Sequence, residues 1–340
     1  MNKKSIIALT QGSSHPSSFF RCGQFADNYI SSGFNFVESR PLFEAYAPKN
    51  KLLRPFWLCG SVSENFFRVI NSRRFDLAIL QRNLTATLAT WERLLAPPFI
   101  FDVDDAIFLE PRGSTSDSIS KMAQITICGN EFIADHYSSF GRVEILPTAV
   151  DCDKFAPLLI PNNFNKKVIG WVGTSSNFKY LYSIESALKQ VLLRFPNSIL
   201  KIVSDIRPNF KHLPPESVIF EKWSRSNEAT VLQDFSVGIM PLLDSPWARG
   251  KCSFKMLTYM ASGLPVVVSP VGMNQTLLDQ GNIGFGARSI DDWIDGLSCI
   301  LSSKADVHSM GMEGRAIVES NYSKKIIFQK LEKIINELDL

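Results

Sequence analysis

The chain has only six cysteines, and no two of them form a CxxC pair. That spacing argues against the common zinc and dithiol-redox motifs. In a chain of 340 residues, scattered cysteines read as reduced cytosolic thiols rather than a disulfide framework. No apolar run approaches about 18 residues, so no segment is expected to span a bilayer as a helix. The opening MNKKSIIALTQGSSHP starts positive, but its apolar run is too short for a signal peptide and no cleavage site follows. It reads as a first strand ending in a Gly/Ser loop. The pattern GxxxxGK[ST] is missing, which excludes a P-loop. A large charge excess is missing as well. The net +3 is too small to point to nucleic acid, and no short-period repeat or low-complexity tract occurs.

What is present suits a soluble globular protein with two sizeable cores: 45% hydrophobic and 20% charged residues. Charge is unevenly placed. Residues 1–100 hold 12 Lys/Arg against 6 Asp/Glu, and residues 101–160 hold 4 against 10. The basic first third suits an anionic lipid or anionic acceptor, and equally a solvated face. Within it Lys49, Lys51, Arg54, Arg68, Arg73 and Arg74 lie beside Phe56, Trp57, Phe66 and Phe67. That mixture suits a membrane interface.

Short apolar runs alternate with helical stretches. KSIIAL, NFVES, FDLAILQ, PFIFDVDD, ITICG and VEILPT punctuate the first half; KVIGWVG, SILKIVS, SVIFEK, VGIMPL and LPVVVSP the second. Continuous Val/Ile/Leu-rich strands with helices between them predict a parallel, doubly wound α/β sheet. The pattern occurs twice, broken by LLIPNNFNKK at 158–167. The expected architecture is a Rossmann-like domain over 1–160, a second over 165–320, a cleft between them, and a terminal helix over 321–340. The tail SKKIIFQKLEKIINELDL is amphipathic at helical spacing and long enough to pack back on the first domain.

Ligands of open α/β sheets sit beyond the carboxyl ends of the strands, so the loops there carry the interest. In VIGWVGTSSNFKYL a strand ends at Gly173, followed by Thr174, Ser175 and Ser176, with Lys179 six residues after the glycine. Such a loop can offer backbone N–H groups to an anion, although a plain capped turn is the commoner case. In VGIMPLLDSPWARGKCSFK the cations Arg249, Lys251 and Lys255 surround a helix start that Ser253 is expected to cap and Gly263 to end. Cations oppose the dipole at a helix N-terminus, so a diphosphate among them is the expected counterpart, with a coincidental surface cluster as the alternative. Trp223 follows a strand where a base can stack, or else lies in the core.

The second half resembles the retaining GT-B-fold glycosyltransferases of family 4, through GWVGTSSNFKYL, FEKWSRSNEATVLQDFSVGIMPL and KCSFKMLTYMASGLPVVVSPVG. The first half resembles them more loosely, through SSHPSSFFRCGQF, FIFDVDDAIF and GNEFIADHY…ILPTAVD. The resemblance implies a phosphate-binding role for Lys179, donor contacts from the loop before MASGLPVVVSP, and no metal or other cofactor beyond the nucleotide-sugar co-substrate. The chain departs from the family at three places. Thr174 stands where Arg is frequent, and Gly250 and Thr258 stand where two Glu are usual. Arg249, Lys251 and Lys255 are expected to take over the diphosphate, and backbone N–H groups of 251–254 the sugar.

PFIFDVDDAIF raises a rival, since Asp102 and Asp104 have the hhhDxD spacing of haloacid-dehalogenase-type phosphatases. No Gly-Thr follows, however, and strands precede the motif. A third option is that Asp102 caps the turn. Under the family reading, Asp104 or Asp105 orients the acceptor hydroxyl, His15 is a further catalytic candidate, and Ser17, Ser18 and Arg21 lie on the acceptor side. A histidine placed like His15 is more often an ordinary surface or loop residue than a catalytic one. The expectation is a cytoplasmic glycosyltransferase of the kind used in polysaccharide biosynthesis, with peripheral attachment to the inner face of the membrane as an open option. It moves a sugar from a nucleotide-diphosphate donor to a saccharide or lipid-linked acceptor, with retention and without nucleic-acid partners. The alternatives are a metal-dependent phosphatase and a non-catalytic nucleotide-sugar-binding homologue.

Overall fold

The computed structural model describes residues 4–12, 15–86, 88–157, 167–302 and 304–338. The linker expected at 158–167 therefore lies outside the described residues, apart from Lys167. The chain divides into two compact units. The first is Met1–Ala149 with Gly250–Cys252 and Ile327–Leu340; the second is Val150–Arg249 with Ser253–Ile326.

The first unit is built on a six-stranded sheet: β1 (Ser5–Leu9), β2 (Asn35–Ser39), β3 (Leu77–Gln81), β4 (Phe99–Val103), β5 (Ile125–Cys128) and β6 (Val143–Ile145). Every pairing is parallel and the order is β2-β1-β3-β4-β5-β6. Strands β3, β4 and β5 are buried along their whole length. Their unbroken apolar runs thus reflect cover on both faces. The order reverses between β1 and β3, so the loops after these two strands diverge and leave a crevice. The helix Lys324–Asn336 turns Ile327, Phe328, Leu331, Ile334 and Ile335 into this unit's core. Phe328 lies 5.7 Å from Phe25 and 5.0 Å from Tyr29, ring centre to ring centre. The tail does return to the first domain, as its amphipathic pattern suggested.

The second unit repeats the plan with β7 (Lys167–Val172), β8 (Ser198–Ser204), β9 (Val218–Lys222), β10 (Val237–Met240), β11 (Val266–Val268) and β12 (Gly284–Gly286), all parallel, in the order β12-β11-β10-β7-β8-β9. Here the order reverses between β7 and β10. The helix Phe254–Ala261 ends as expected, at Gly263 with φ +70°, a left-handed position that glycine takes at little cost. Its start differs from expectation. Ser253 is itself left-handed (φ 49°) and makes no capping hydrogen bond. Its hydroxyl instead donates to Asn274 Oδ1 at 2.7 Å. Among the described residues no helix is long and apolar enough to cross a membrane.

Candidate active site

In the second unit, the two loops singled out by their charge follow β7 and β10, the strands that flank the switch point. Gly173 ends β7, donating its N–H to Val203 O at 3.0 Å. A Cβ at Gly173 would lie 2.6 Å from Lys255 Nζ and 2.7 Å from the Trp171 ring. The Lys255 ammonium stands 4.9 Å from the Trp171 ring centre, so a cation from the first turn of helix Phe254–Ala261 reaches the end of β7. Two loops far apart in sequence thus meet at one point, with glycine leaving the space between them.

The remaining candidates have surroundings of their own. Arg249 bonds Asp244 through Nε at 2.7 Å and Nη2 at 2.9 Å, on the surface. Lys251 falls in the Gly250–Cys252 segment of the first unit. Lys179 is exposed, its ammonium 5.0 Å above the Tyr180 ring. Thr174 Oγ1 lies 2.9 Å from Ser176 Oγ and accepts from Asn177 Nδ2 at 3.0 Å. The N–H of Ser175 was expected to be open to an anion. It donates to Asp205 Oδ1 at 2.6 Å, and its hydroxyl to Oδ2 at 2.7 Å. Burial resists ionisation of Asp205, but the Ser175 and Ser204 hydrogen bonds outweigh it and hold the carboxyl below its usual range. Trp223 is half-buried at the sheet edge, with its N–H on Ser204 O at 2.9 Å.

Sequence reasoning missed Asn274. It is fully buried, accepts from Ser253 and donates to Ser269 O at 2.9 Å, while Ser269 Oγ accepts from Leu242 N at 2.9 Å. This chain of bonds fixes the loops after β10 and β11 to each other and sets where helix Phe254–Ala261 begins.

In the first unit, polar side chains gather where β1, β3 and β4 end. Ser18 Oγ donates to Gln81 Oε1 at 3.2 Å and accepts from Gln11 N at 3.2 Å. Arg21 is buried. Its Nε donates to both Asp102 oxygens at 3.2 and 3.0 Å, and Nη1 donates to Leu146 O at 2.7 Å. Burial alone would lower the Arg21 pKa; the carboxylate beside it outweighs that and raises it. Arg21 was placed on the acceptor side and Asp102 in the rival nucleophile role. Both are instead engaged with each other inside the unit, and Asp102 caps no turn.

Arg82 organises the neighbouring part-buried acids, and sequence reasoning missed it. Its backbone is left-handed (φ 58°), a conformation uncommon for a non-glycine residue and concentrated at functional sites. Its Nε donates to Asp104 Oδ1 at 2.7 Å, and its Nη2 to Asp105 Oδ2 at 3.1 Å and Ser17 Oγ at 3.3 Å. Burial disfavours the Asp104 carboxylate, yet Arg82 more than offsets it and keeps that carboxyl low. Asp105 is the more exposed of the two, 26% against 10%. Burial raises its carboxyl, opposed by Arg82 and by Lys251. Lys251 is held nearby because Asn130 Nδ2 donates to its carbonyl at 3.1 Å and Cys252 Sγ donates to Asp104 O at 3.0 Å. His15 stacks obliquely on Tyr46 at 5.2 Å, and its buried Nε2 has no partner among the described residues. Burial, then Arg82, lowers its pKa. A pocket adjoins this group, lined by Gln11, Tyr46, Arg82, Asn83, Glu110 and Arg112 among others.

Residues 166–303 match the family model "Glycosyl transferases group 1". Comparison with curated proteins finds no matching sequence. Solved structures match the whole chain. Sucrose-phosphate synthase from Thermosynechococcus elongatus superposes with a TM-score of 0.75 at 14% identity, covering 99% of each chain. Anabaena HepE, solved in complex with UDP, gives 0.65 at 12% identity, covering 99% of this chain and 100% of its own. The lipopolysaccharide outer core galactosyltransferase WaaB, in its apo form, gives 0.64 at 12%, with coverage of 99% and 100%. The chain thus shares the two-domain GT-B α/β fold of these structures, and its second unit resembles the group 1 glycosyl transferases over residues 166–303.

Proposed function

We propose that the protein transfers a sugar from a nucleoside-diphosphate sugar to a saccharide or lipid-linked acceptor, with retention at the anomeric carbon and no metal requirement. The observation that carries this reading is the meeting of Gly173 and Lys255 beside β7, inside the family-matched segment. A glycine with no side chain lets a phosphate approach the backbone, and an ammonium beside it supplies charge where the leaving group develops it. HepE, solved with UDP, with UDP and glucose, and with UDP-glucose, supports a uridine nucleotide as the first candidate.

In this reading Lys255 and Lys179 bind the diphosphate and Trp223 lies on the nucleoside side. The remaining donor contacts are the backbone of Gly173, Thr174 and the 251–254 stretch; Arg249, on Asp244, is reached through the outer phosphate. Asp105, helped by Asp104, Arg82 and Lys251, orients the acceptor hydroxyl; His15, Ser17 and Ser18 line its approach, and Arg21 holds Asp102 behind them. The bond from the anomeric carbon to the diphosphate breaks, and the acceptor oxygen bonds that carbon on the same face. The hydroxyl proton passes to the departing diphosphate, which leaves as nucleoside diphosphate. Cationic side chains then do the charge neutralisation that a divalent ion performs elsewhere. Asp104 and Asp105 are held by Arg82, and Asp102 by Arg21, which suits this role and disfavours the phosphatase chemistry, whose nucleophile would have to leave a buried ion pair.

The test is a panel of nucleoside-diphosphate sugars scored by thermal shift and by release of nucleoside diphosphate, with and without chelator. Stabilisation by one donor class, and chelator-resistant release in the presence of an acceptor, are expected. Stabilisation without release under any acceptor would favour the non-catalytic homologue.

A further inference from the structure

The first unit carries an apolar surface that its own core does not use. Leu42 is 91% exposed, Leu52 81%, Phe56 77% and Phe67 69%, and Leu53, Phe43 and Ile70 are exposed too. Phe56, Phe67 and Ile70 fall on one face of the helix Arg54–Ser72. The segment ahead of that helix is fastened rather than loose. Leu42 N and Phe43 N donate to the Glu64 carboxylate at 2.6 and 3.0 Å, Trp57 Nε1 donates to Glu44 O at 2.7 Å, and Arg54 Nε donates to Pro48 O at 3.1 Å. Phe43 lies across Gly60, where a Cβ would approach its ring to 2.4 Å. These bonds hold the apolar tips outward, which costs solvation free energy unless something covers them.

Charge identifies the cover. Residues 40–76 contain seven Lys/Arg against three Asp/Glu, a local excess larger than that of the whole chain. Of the three acids, Glu64 holds backbone N–H groups and Asp76 accepts from Ser5. Lys49, Lys51, Arg54, Arg73 and Arg74 enter no ion pair among the described residues. Exposed aromatic and aliphatic tips in one segment with unneutralised cations match an anionic bilayer surface, where apolar groups enter the acyl boundary and cations meet headgroups. We infer that residues 42–70 form a docking face for an anionic phospholipid membrane. Tyr46 belongs to this segment and also lines the pocket that ends at Arg82. Docking would therefore present that pocket to a lipid-borne group. The inference stands apart from the donor chemistry, since no sugar nucleotide enters its test.

The test is co-sedimentation of the full chain with vesicles of phosphatidylglycerol and phosphatidylcholine in equal parts, against phosphatidylcholine alone. Wild type should bind the anionic vesicles, bind the neutral ones at least tenfold less, and be released by salt. Phe56→Ser with Phe67→Ser should cut binding at least tenfold at an unchanged melting temperature. Lys49→Gln with Lys51→Gln should cut it about fivefold per cation, and serves as the second variant if the phenylalanine pair disturbs the helix. No binding at low salt, or equal binding to neutral vesicles, would overturn the inference. So would concentration-dependent self-association that the phenylalanine variant abolishes in a chain that ignores both vesicles, because the face would then serve a second copy.

Discussion

Replacing Asp102 by Ala separates a structural carboxylate from a chemical one. The substitution leaves the Arg21 guanidinium buried, with Leu146 O as its remaining acceptor among the bonds described above. Removing one partner of a buried ion pair typically costs about 3–5 kcal/mol, because the other charge is left uncompensated. For a unit of this size each kcal/mol lowers the melting temperature by about 2–4 °C. The first unit should therefore melt roughly 6–20 °C lower, by calorimetry. Arg21→Met combined with Asp102→Leu removes both charges while keeping apolar volume, and such exchanges are often neutral or stabilising. The double variant should recover most of the loss, giving a coupling energy of at least about 2 kcal/mol in the cycle. Glycosyl transfer should survive in it, since neither residue is assigned to reacting atoms. A melting temperature unchanged by Asp102→Ala, with activity abolished, would refute the reasoning and return Asp102 to a catalytic role.

Three further outcomes follow from the geometry. Lys255→Ala should weaken nucleoside-diphosphate binding about ten- to a hundredfold, from the loss of a charge-assisted bond of about 1.5–3 kcal/mol, measured by titration calorimetry at unchanged fold. Burial holds the His15 pKa below about 6.5. The unfolded chain then binds the proton more readily, so stability should rise with pH up to that value and fall below it. His15→Asn should flatten that slope in denaturant titrations across the acid-to-neutral range. Arg82→Met should impair transfer more than donor binding, because it frees Asp104 and Asp105 while leaving the second unit intact. An equal loss in nucleotide affinity would count against that assignment.

The fold was legible in the sequence because buried parallel strands favour apolar runs, as ITICG and SILKIVS do for β5 and β8, while NFVES coincides with the part-exposed edge strand β2. Strand β12 went unseen because Gly-Phe-Gly offers no β-branched signal; parallel pairing with β11 defines it. Gly263 could be read as a helix stop from local chemistry alone. Ser253 could not be read as anything but a cap, since its partner Asn274 lies 21 residues on. The same distance effect hid the pairing of Arg21 with Asp102, which are 81 residues apart. It also hid Arg82, whose two acids lie 22 and 23 residues away. Composition showed a basic turn at 249–255, but only folding gives its members their different partners. Arg249 finds Asp244, five residues before it, whereas Lys255 reaches Trp171 and Gly173.

The central claim is that the second unit binds the diphosphate of a sugar nucleotide through Lys255 beside Gly173. Titration of UDP into the wild-type chain and into Lys255→Ala, with chelator present throughout, tests it most directly. Saturable binding to the wild type and at least tenfold weaker binding to the variant are expected. Equal affinity in the two proteins, or no binding by UDP or any other nucleoside diphosphate, would contradict it.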